Sequence, residues 1–265
     1  HDPRADFLNW TLVDAGSFDY AADAWGYSTG AAVEWYRGPW TVRAGLFNLS
    51  KIPNGEMLER DFSQFQLDGE IEHRHTIGDR DGAVRVTVFR NHGRFGRFDD
   101  ALALAVKTGT APDTALVRDW RTRIGASVNL EQAVTASVGV FARAGIADGQ
   151  IEPYDFTDVD RTASAGVSIK GASWGRGGDT VGIAAVVNGI SAVHQRYLDA
   201  GGVVVLVGDG KLPHPGAEAI GEVYYAWVPI APVSITADYQ LIGNPGYNRD
   251  RGPISAFAIR LHGQF

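Results

Sequence analysis

The chain of 265 residues contains no cysteine and a single methionine. Without thiols there is no disulfide framework, no thiolate metal centre and no cysteine nucleophile. It also lacks a basic block: the net charge is −7 and the pI about 5.5, which argues against a nucleic-acid partner. No apolar run approaches the roughly 18 residues a membrane helix requires. That absence excludes helical membrane proteins but not β-barrels, whose alternating strands average out in hydropathy. A mean hydropathy of −0.12 is compatible with either a soluble protein or a barrel. No signal peptide is visible, and the start at His1-Asp2-Pro3-Arg4 reads as a mature or truncated beginning of an exported chain.

What is present begins at the other end. In residues 253–265, PISAFAIRLHGQF, the residues Phe257, Ile259, Leu261, Gly263 and Phe265 share one parity. Ala256, Ala258, Arg260, His262 and Gln264 share the other. Successive strand side chains point to opposite faces, so one face is apolar and the other polar. Such a strand, ending in an aromatic residue, suits an outer-membrane barrel with lipid outside and water inside. A soluble β-sandwich strand could share the local pattern.

Comparable segments recur at 27–36, 40–49, 65–76, 83–93, 118–129, 133–145, 162–173, 179–190, 218–228, 233–242 and 254–265. Most exceed the 5–6 residues typical of soluble strands and match the roughly 9–11 of a tilted membrane strand. Connections alternate in length. Those at 37–39, 77–82, 130–132, 174–178 and 229–232 are short; those at 50–64, 94–117, 146–161, 191–217 and 243–253 are long. Outer-membrane barrels keep this phase, with short periplasmic turns and long extracellular loops, and a sandwich has no reason to. The fold expected is therefore all-β, a transmembrane antiparallel β-barrel in a single domain spanning residues 1–265. Closed bacterial barrels normally have an even number of strands. Eleven strands thus imply either a twelfth at 7–13, with Leu8, Trp10 and Leu12 outward, or missing amino-terminal strands.

Parity divides the side chains. Outward sets include Val134, Ala136, Val138, Val140, Ala142 and Ala144, then Val181, Ile183, Ala185 and Val187, then Val233, Ile235, Ala237, Tyr239 and Leu241. Outward Trp35, Trp120, Tyr225 and Trp227 near strand ends suit interfacial girdles. Inward positions carry both charges: Arg43, Arg85, Arg121, Arg123, Arg143, Lys170 and Arg260 beside Glu34, Asp68, Glu70, Glu72, Glu222 and Asp238. Charges lining a pore set its field and bias which solutes pass; alternatively they pair across the wall and hold it. As pore-lining residues we select Glu34, Arg43, Glu70, Glu72, Arg85, Arg121, Arg123, Arg143, Asp238 and Arg260. Inward Tyr36, Phe89, Phe141 and Tyr224 offer flat faces for a sugar ring.

The long connections hold further features. Residues 151–161, IEPYDFTDVDR, cluster Glu152, Asp155, Asp158 and Asp160. Carboxylates at this spacing can hold a hard cation, but the EF-hand order is absent, and a solvated acidic loop is the expectation. His73 and His75 share a strand face, but an outward one. Residues 200–210, AGGVVVLVGDG, lack the Gly-Lys-Ser/Thr of a phosphate loop, and should pack on the wall or fold into the mouth. Residues 99–107 predict a short helix, as a constriction element or a cap. No nucleophile stands in a recognisable motif such as Gly-x-Ser-x-Gly, so neither an enzyme nor a cofactor is expected.

Several separate stretches carry a family resemblance: NWTLVDAGSFDYAADAWGYSTG, FARAGIADGQIEPYDFTDVDRT, WGRGGDTVGIA, LDAGGVVVLVGDGKLPHPGAE, DYQLIGNPGYNRDRGP and the final RLHGQF. Together they resemble the carboxyl-terminal two-thirds of the carbohydrate-selective porin family (OprB type) of Gram-negative outer membranes. The resemblance implies a sixteen-stranded barrel of which this chain supplies eleven or twelve strands. It implies facilitated diffusion of monosaccharides through a narrow charged constriction, in contact with outer-membrane lipid, as a homotrimer or a monomer. Some relatives are manganese-selective, so a divalent-metal porin is one alternative. A barrel serving as a structural anchor without conductance is another.

Overall fold

The computed structural model describes residues 6–208 and 210–264; Phe265 and the initial His1-Asp2-Pro3-Arg4 lie outside the described residues. In chain order the elements are α1 (Trp10–Val13), β1 (Gly30–Arg37), β2 (Trp40–Asn48), β3 (Phe65–Ile77), β4 (Arg80–Phe95), α2 (Phe98–Thr108), β5 (Asp119–Ala133), β6 (Val138–Ala147), β7 (Arg161–Lys170), β8 (Thr180–Gly189), α3 (Ala192–Asp199), β9 (Glu218–Ile230), β10 (Val233–Gly243) and β11 (Ile254–Gly263). Each strand pairs antiparallel with its sequence neighbour, giving one eleven-stranded sheet in the order β1 to β11.

The period-2 pattern dictates which face each residue takes. On β8 the burial alternates through Gly182, Ala184, Val186 and Asn188, with Ile183, Ala185 and Val187 exposed on the other side. Phe257, Ile259 and Leu261 of β11 are likewise exposed, on the outward face. Trp35, Trp120 and Trp227 stand exposed near strand ends, as interfacial side chains should.

Two expectations about elements need correction. Residues 7–13 are not a twelfth strand: Phe7 and Leu12 are fully buried, and Trp10–Val13 form a single helical turn. The turn after β5 lies at 134–137, not 130–132. The Thr135 hydroxyl accepts from the backbone N–H of Ser137 (3.1 Å) and Val138 (3.0 Å), a local bond that competes with strand pairing. Val134 and Ala136 therefore leave the outward set, and Glu131 joins an inward strand face.

The concave side of the sheet is filled by a strap made of residues 6–24, which precede β1. Its backbone and side chains touch inward residues of β3, β4, β5, β6, β8, β9, β10 and β11. Strands lie about 4.8 Å apart, and Phe7 alone meets Phe141 of β6 and Tyr224 of β9 (ring centroids 5.9 and 5.0 Å). One side chain reaches across three strand spacings because the sheet curls around it.

The long connections build a second core at their end of the sheet. Phe98 and Ala101 of α2 pack with Val193, Tyr197 and Leu198 of α3. Val204 and Val207, from the apolar stretch 200–210, close over the same cluster. The predicted helix is thus α2, and it caps the mouth against α3.

Candidate functional site

The lumen is assembled from three sets of residues: a ladder of charges on β1 to β5, the strap, and the buried anchors that hold the strap to the wall. The ladder follows from strand register. Glu34 faces Arg43, and Arg43 faces Glu70; Glu72 faces Arg85. Arg43 donates to Glu70 (2.5 Å) and Glu72 (3.0 Å) and lies 3.6 Å from Glu34. Arg85 bridges Glu72 (2.9 Å) and Glu131 (2.8 Å), and Arg74 reaches Glu72 at 2.5 Å. Cross-strand pairs of opposite sign stabilise a sheet, and here they cancel much of each other's field. Four carboxylates (Glu34, Glu70, Glu72, Glu131) stand against three guanidiniums (Arg43, Arg74, Arg85). Glu72 is buried at the centre; Glu34, Arg43, Glu70 and Arg85 keep partial exposure to the lumen.

The strap is tied down at several points. Glu222 of β9 accepts from the backbone N–H groups of Leu8 (2.5 Å) and Asn9 (2.9 Å). Arg143 of β6 donates to the carbonyls of Leu12, Val13 and Asp14 at 3.2, 3.2 and 2.6 Å. These are carbonyls at the end of α1, where a cation is favoured. Arg260 of β11 donates to the Asp6 carbonyl (2.9 Å). Asn188 of β8 donates to Thr11 (3.2 Å). Further along, Asp19 carries the tightest anchor. Its carboxylate meets Arg123 of β5 at 2.9 Å and accepts from the Tyr154 and Asp155 N–H groups, while its carbonyl accepts from Gln66 and Asn91. Gly145 of β6 sits where Ser17 approaches so closely that any Cβ would collide with its hydroxyl, so the glycine lets the strap lie flat on the wall.

The expected lumen residues therefore separate by role. Arg123 does point inward but has 0% exposure, wedged between Asp19, Asp160 (3.6 Å) and the Asp148 carbonyl (3.2 Å). Arg143 and Arg260 face inward and hold the strap. Arg121 sits at the rim, donating to Asp100 of α2 (2.7 Å) and the Phe95 carbonyl (3.1 Å). Asp238 is buried beside Gln240 (3.3 Å). Phe89, Phe141 and Tyr224 do not offer free faces: Phe18 covers Phe89 (5.1 Å between centroids) and Phe7 covers the other two. Tyr36 remains exposed on β1, bonded to Glu34.

The acidic loop is not solvated. Glu152, Asp155, Asp158 and Asp160 are all buried, each with its own surroundings. Glu152 takes a two-pronged contact from Arg118 (2.7 and 3.1 Å) and the Thr114 hydroxyl. Asp160 faces Arg123 and His194 (3.1 Å). Asp158 accepts from the Leu206 N–H. No group of three metal-ligating side chains gathers among the described residues.

Burial pushes Asp155 up to about 8, with the nearby Asp19 and Asp23 charges adding to the rise; burial pushes Asp158 up to about 6, opposed by His194 and Arg123. Between the unfolded values near 4 and these folded values, the folded loop holds more protons than the unfolded one. Stability is then lost as pH rises through that window. Protease cleavage within 151–160 should accordingly be faster at pH 9 than at pH 5, and Asp155→Asn should flatten the dependence. Cleavage that slows with rising pH would refute this protonation scheme.

Two open volumes stand toward opposite ends of the sheet. One, of about 770 Å³, is at the short-turn end and is lined by Arg74, Arg85, Glu131, Phe141 and Ser168. The other, of about 330 Å³, is at the long-loop end and is lined by Asn9, Trp10, Phe156, Glu218 and Tyr247. A polar inner face crossed by the strap, in a curled sheet with an apolar exterior, suits an outer-membrane barrel. Over residues 1–265 the sequence matches the family model described as carbohydrate-selective porin, OprB family. The chain belongs to that family. It is an outer-membrane barrel protein of the Gram-negative type, so the short turns are periplasmic and the long loops extracellular.

Solved structures agree on the fold. The high-pH structure of Pseudomonas putida OprB is 18% identical with a TM-score of 0.66, covering 86% of this chain and 56% of that one. Pseudomonas aeruginosa OccK8 (OprE) is 12% identical with a TM-score of 0.52, covering 80% and 53%. Pseudomonas aeruginosa OccK1 (OpdK) is 11% identical with a TM-score of 0.50, covering 88% and 54%. The chain thus spans just over half of the length of these structures, less than the two-thirds expected. No curated protein matches the sequence.

Of the strap anchors, Arg123, Arg143, Glu222 and Arg260 stand among the inward charges that parity picks out, and the others do not. Asn9, Asp19, Gln66 and Asn91 act through contacts 45 or more residues apart. The one local signal was polar Gln66 and Asn91 at inward strand positions.

Proposed function

We propose that this porin-family protein is a passive channel that admits neutral carbohydrates of monosaccharide size, without chemistry and without a cofactor. The observation that supports this most is the self-neutralising ladder. A ring of one sign would attract or repel ions. Arginines and glutamates in direct alternation instead present hydrogen-bond donors and acceptors with little net field. A polyol can exchange its hydration for these groups in several weak steps, and weak multi-site binding permits throughput. Solute would enter between the extracellular loops, pass the strap, and leave along the Arg85–Glu131 side of the periplasmic cavity.

Planar-bilayer recording tests it. Glucose at millimolar concentration should reduce the ion current, while equal Mn²⁺ should leave it unblocked. Block by Mn²⁺ with none by glucose would replace this proposal with a divalent-metal porin, and absence of conductance would favour an anchoring role.

A further inference from the structure

We propose that the extracellular cavity is a docking subsite for one neutral pyranose ring, stacked on Trp10 and hydrogen-bonded to Glu218. The inference rests on the carbohydrate proposal above and deepens it. It starts from the uneven burial of the strap. Phe7 and Leu12 are 0% exposed, whereas Trp10, between them, is 42% exposed. Exposed tryptophans on the outer face meet lipid, but Trp10 belongs to a segment on the concave side, where exposure means water. A large apolar ring left uncovered in a water-filled space is a surface made to be covered. Tyr20 braces it, with centroids 5.6 Å apart and planes at 54°, so the platform is fixed before a ligand arrives.

The rest of the cavity selects the ligand class. At about 330 Å³ it is near the lower end of small-molecule sites, roughly 300–1,000 Å³, which suits a single ring. Its wall is largely apolar, with Phe156, Ile220, Ile242 and Tyr247 beside Trp10. Among its few polar groups, Glu218 accepts from the Gly246 N–H through one oxygen (3.1 Å). The other oxygen accepts from no described residue. The Trp10 indole N–H likewise donates to no described residue, so this donor and the second Glu218 oxygen both keep hydrogen-bonding capacity for a ligand. Sugar hydroxyls serve both, and the C–H face of a pyranose suits the indole. An anionic ring would face the carboxylates of both Asp158 and Glu218. A bare metal ion would lose its hydration to an apolar wall in which no three ligands gather among the described residues.

The test is current block of the full protein in planar bilayers by glucose, and separately by glucuronate, added on the extracellular side. Trp10→Ala should raise the half-blocking glucose concentration about tenfold, the scale of one lost aromatic stacking contact. Trp10→Phe keeps a ring and should stay within about threefold of the unmodified protein. Glu218→Gln should weaken glucose block and strengthen glucuronate block, because the repulsion is gone. These last two variants carry the test if Trp10→Ala does not insert. Unchanged glucose block in Trp10→Ala, or glucuronate block that Glu218→Gln leaves untouched, overturns the subsite while the carbohydrate channel stands. Conductance that neither sugar blocks in the unmodified protein overturns the carbohydrate proposal, and the subsite with it.

Discussion

Arg123→Ala should destabilise the protein by about 3–5 kcal/mol, the range for removing one partner of a buried ion pair. The reason is the absence of solvent around this group. Arg123 and Asp19 are both fully buried, 2.9 Å apart, with Asp160 3.6 Å away. Deleting the guanidinium leaves the Asp19 carboxylate, on the strap, and the Asp160 carboxylate, on the loop before β7, in a low-dielectric pocket. With no cation between them the two carboxylates repel, and the strap and loop separate. Denaturant unfolding in detergent would show the loss as a lowered midpoint. The double variant Arg123→Met with Asp19→Asn should recover part of it, because the charge left behind is then also gone. A change below about 0.5 kcal/mol, ordinary for a surface site, would sink the anchoring role given to Arg123.

The second expected effect is on the pore. Deleting residues 6–18 removes Phe7, Leu8, Trp10 and Leu12 while leaving Asp19 with its partner. The two cavities, about 330 and 770 Å³, would then merge, and single-channel conductance should rise several-fold. Sugar block should disappear with it, since the platform and the constriction leave together. A milder version is Glu222→Ala, which removes the acceptor for the Leu8 and Asn9 N–H groups. It should add noise and intermediate current levels without full opening. Conductance unchanged after the deletion would mean that the ions do not pass the strap.

Much of the wall was legible in the sequence because a strand's period of two is a local property. Ile183, Ala185 and Val187 fall outward and Gly182 and Asn188 inward whatever lies across the lumen, since a slip of one residue would turn the polar face toward lipid. Loop phase was legible for the same kind of reason: chain length between alternating segments can be counted. The turn at 134–137 was misplaced because Val134, Ala136 and Val138 continue the alternation by chance. The deciding bonds there come from the Thr135 hydroxyl.

The site was less legible, because an inward position does not say what lies opposite. Parity put Arg123, Arg143 and Glu72 inside alike. Arg123 is sealed by Asp19, Arg143 holds three strap carbonyls, and Glu72 sits under three guanidiniums. In the stretch 6–24 the alternation of Leu8, Trp10 and Leu12 misleads, since the conformation is set by the wall it touches and not by its own propensity. The acidic residues 152, 155, 158 and 160 read as solvated for a related reason: burial of a carboxylate depends on partners such as Arg118 and His194, which are distant in sequence.

The sequence by itself determined an alternating, antiparallel wall, its direction across the membrane and the sign of every inward charge, all properties of spacing along one chain. Only the tertiary structure decided that residues 6–24 lie against the inner side of that wall, and that Trp10 keeps an exposed face there while Phe7 and Leu12 are buried. Those outcomes depend on which groups meet across the lumen, and a hydrogen bond or an ion pair exists only once both partners have a place.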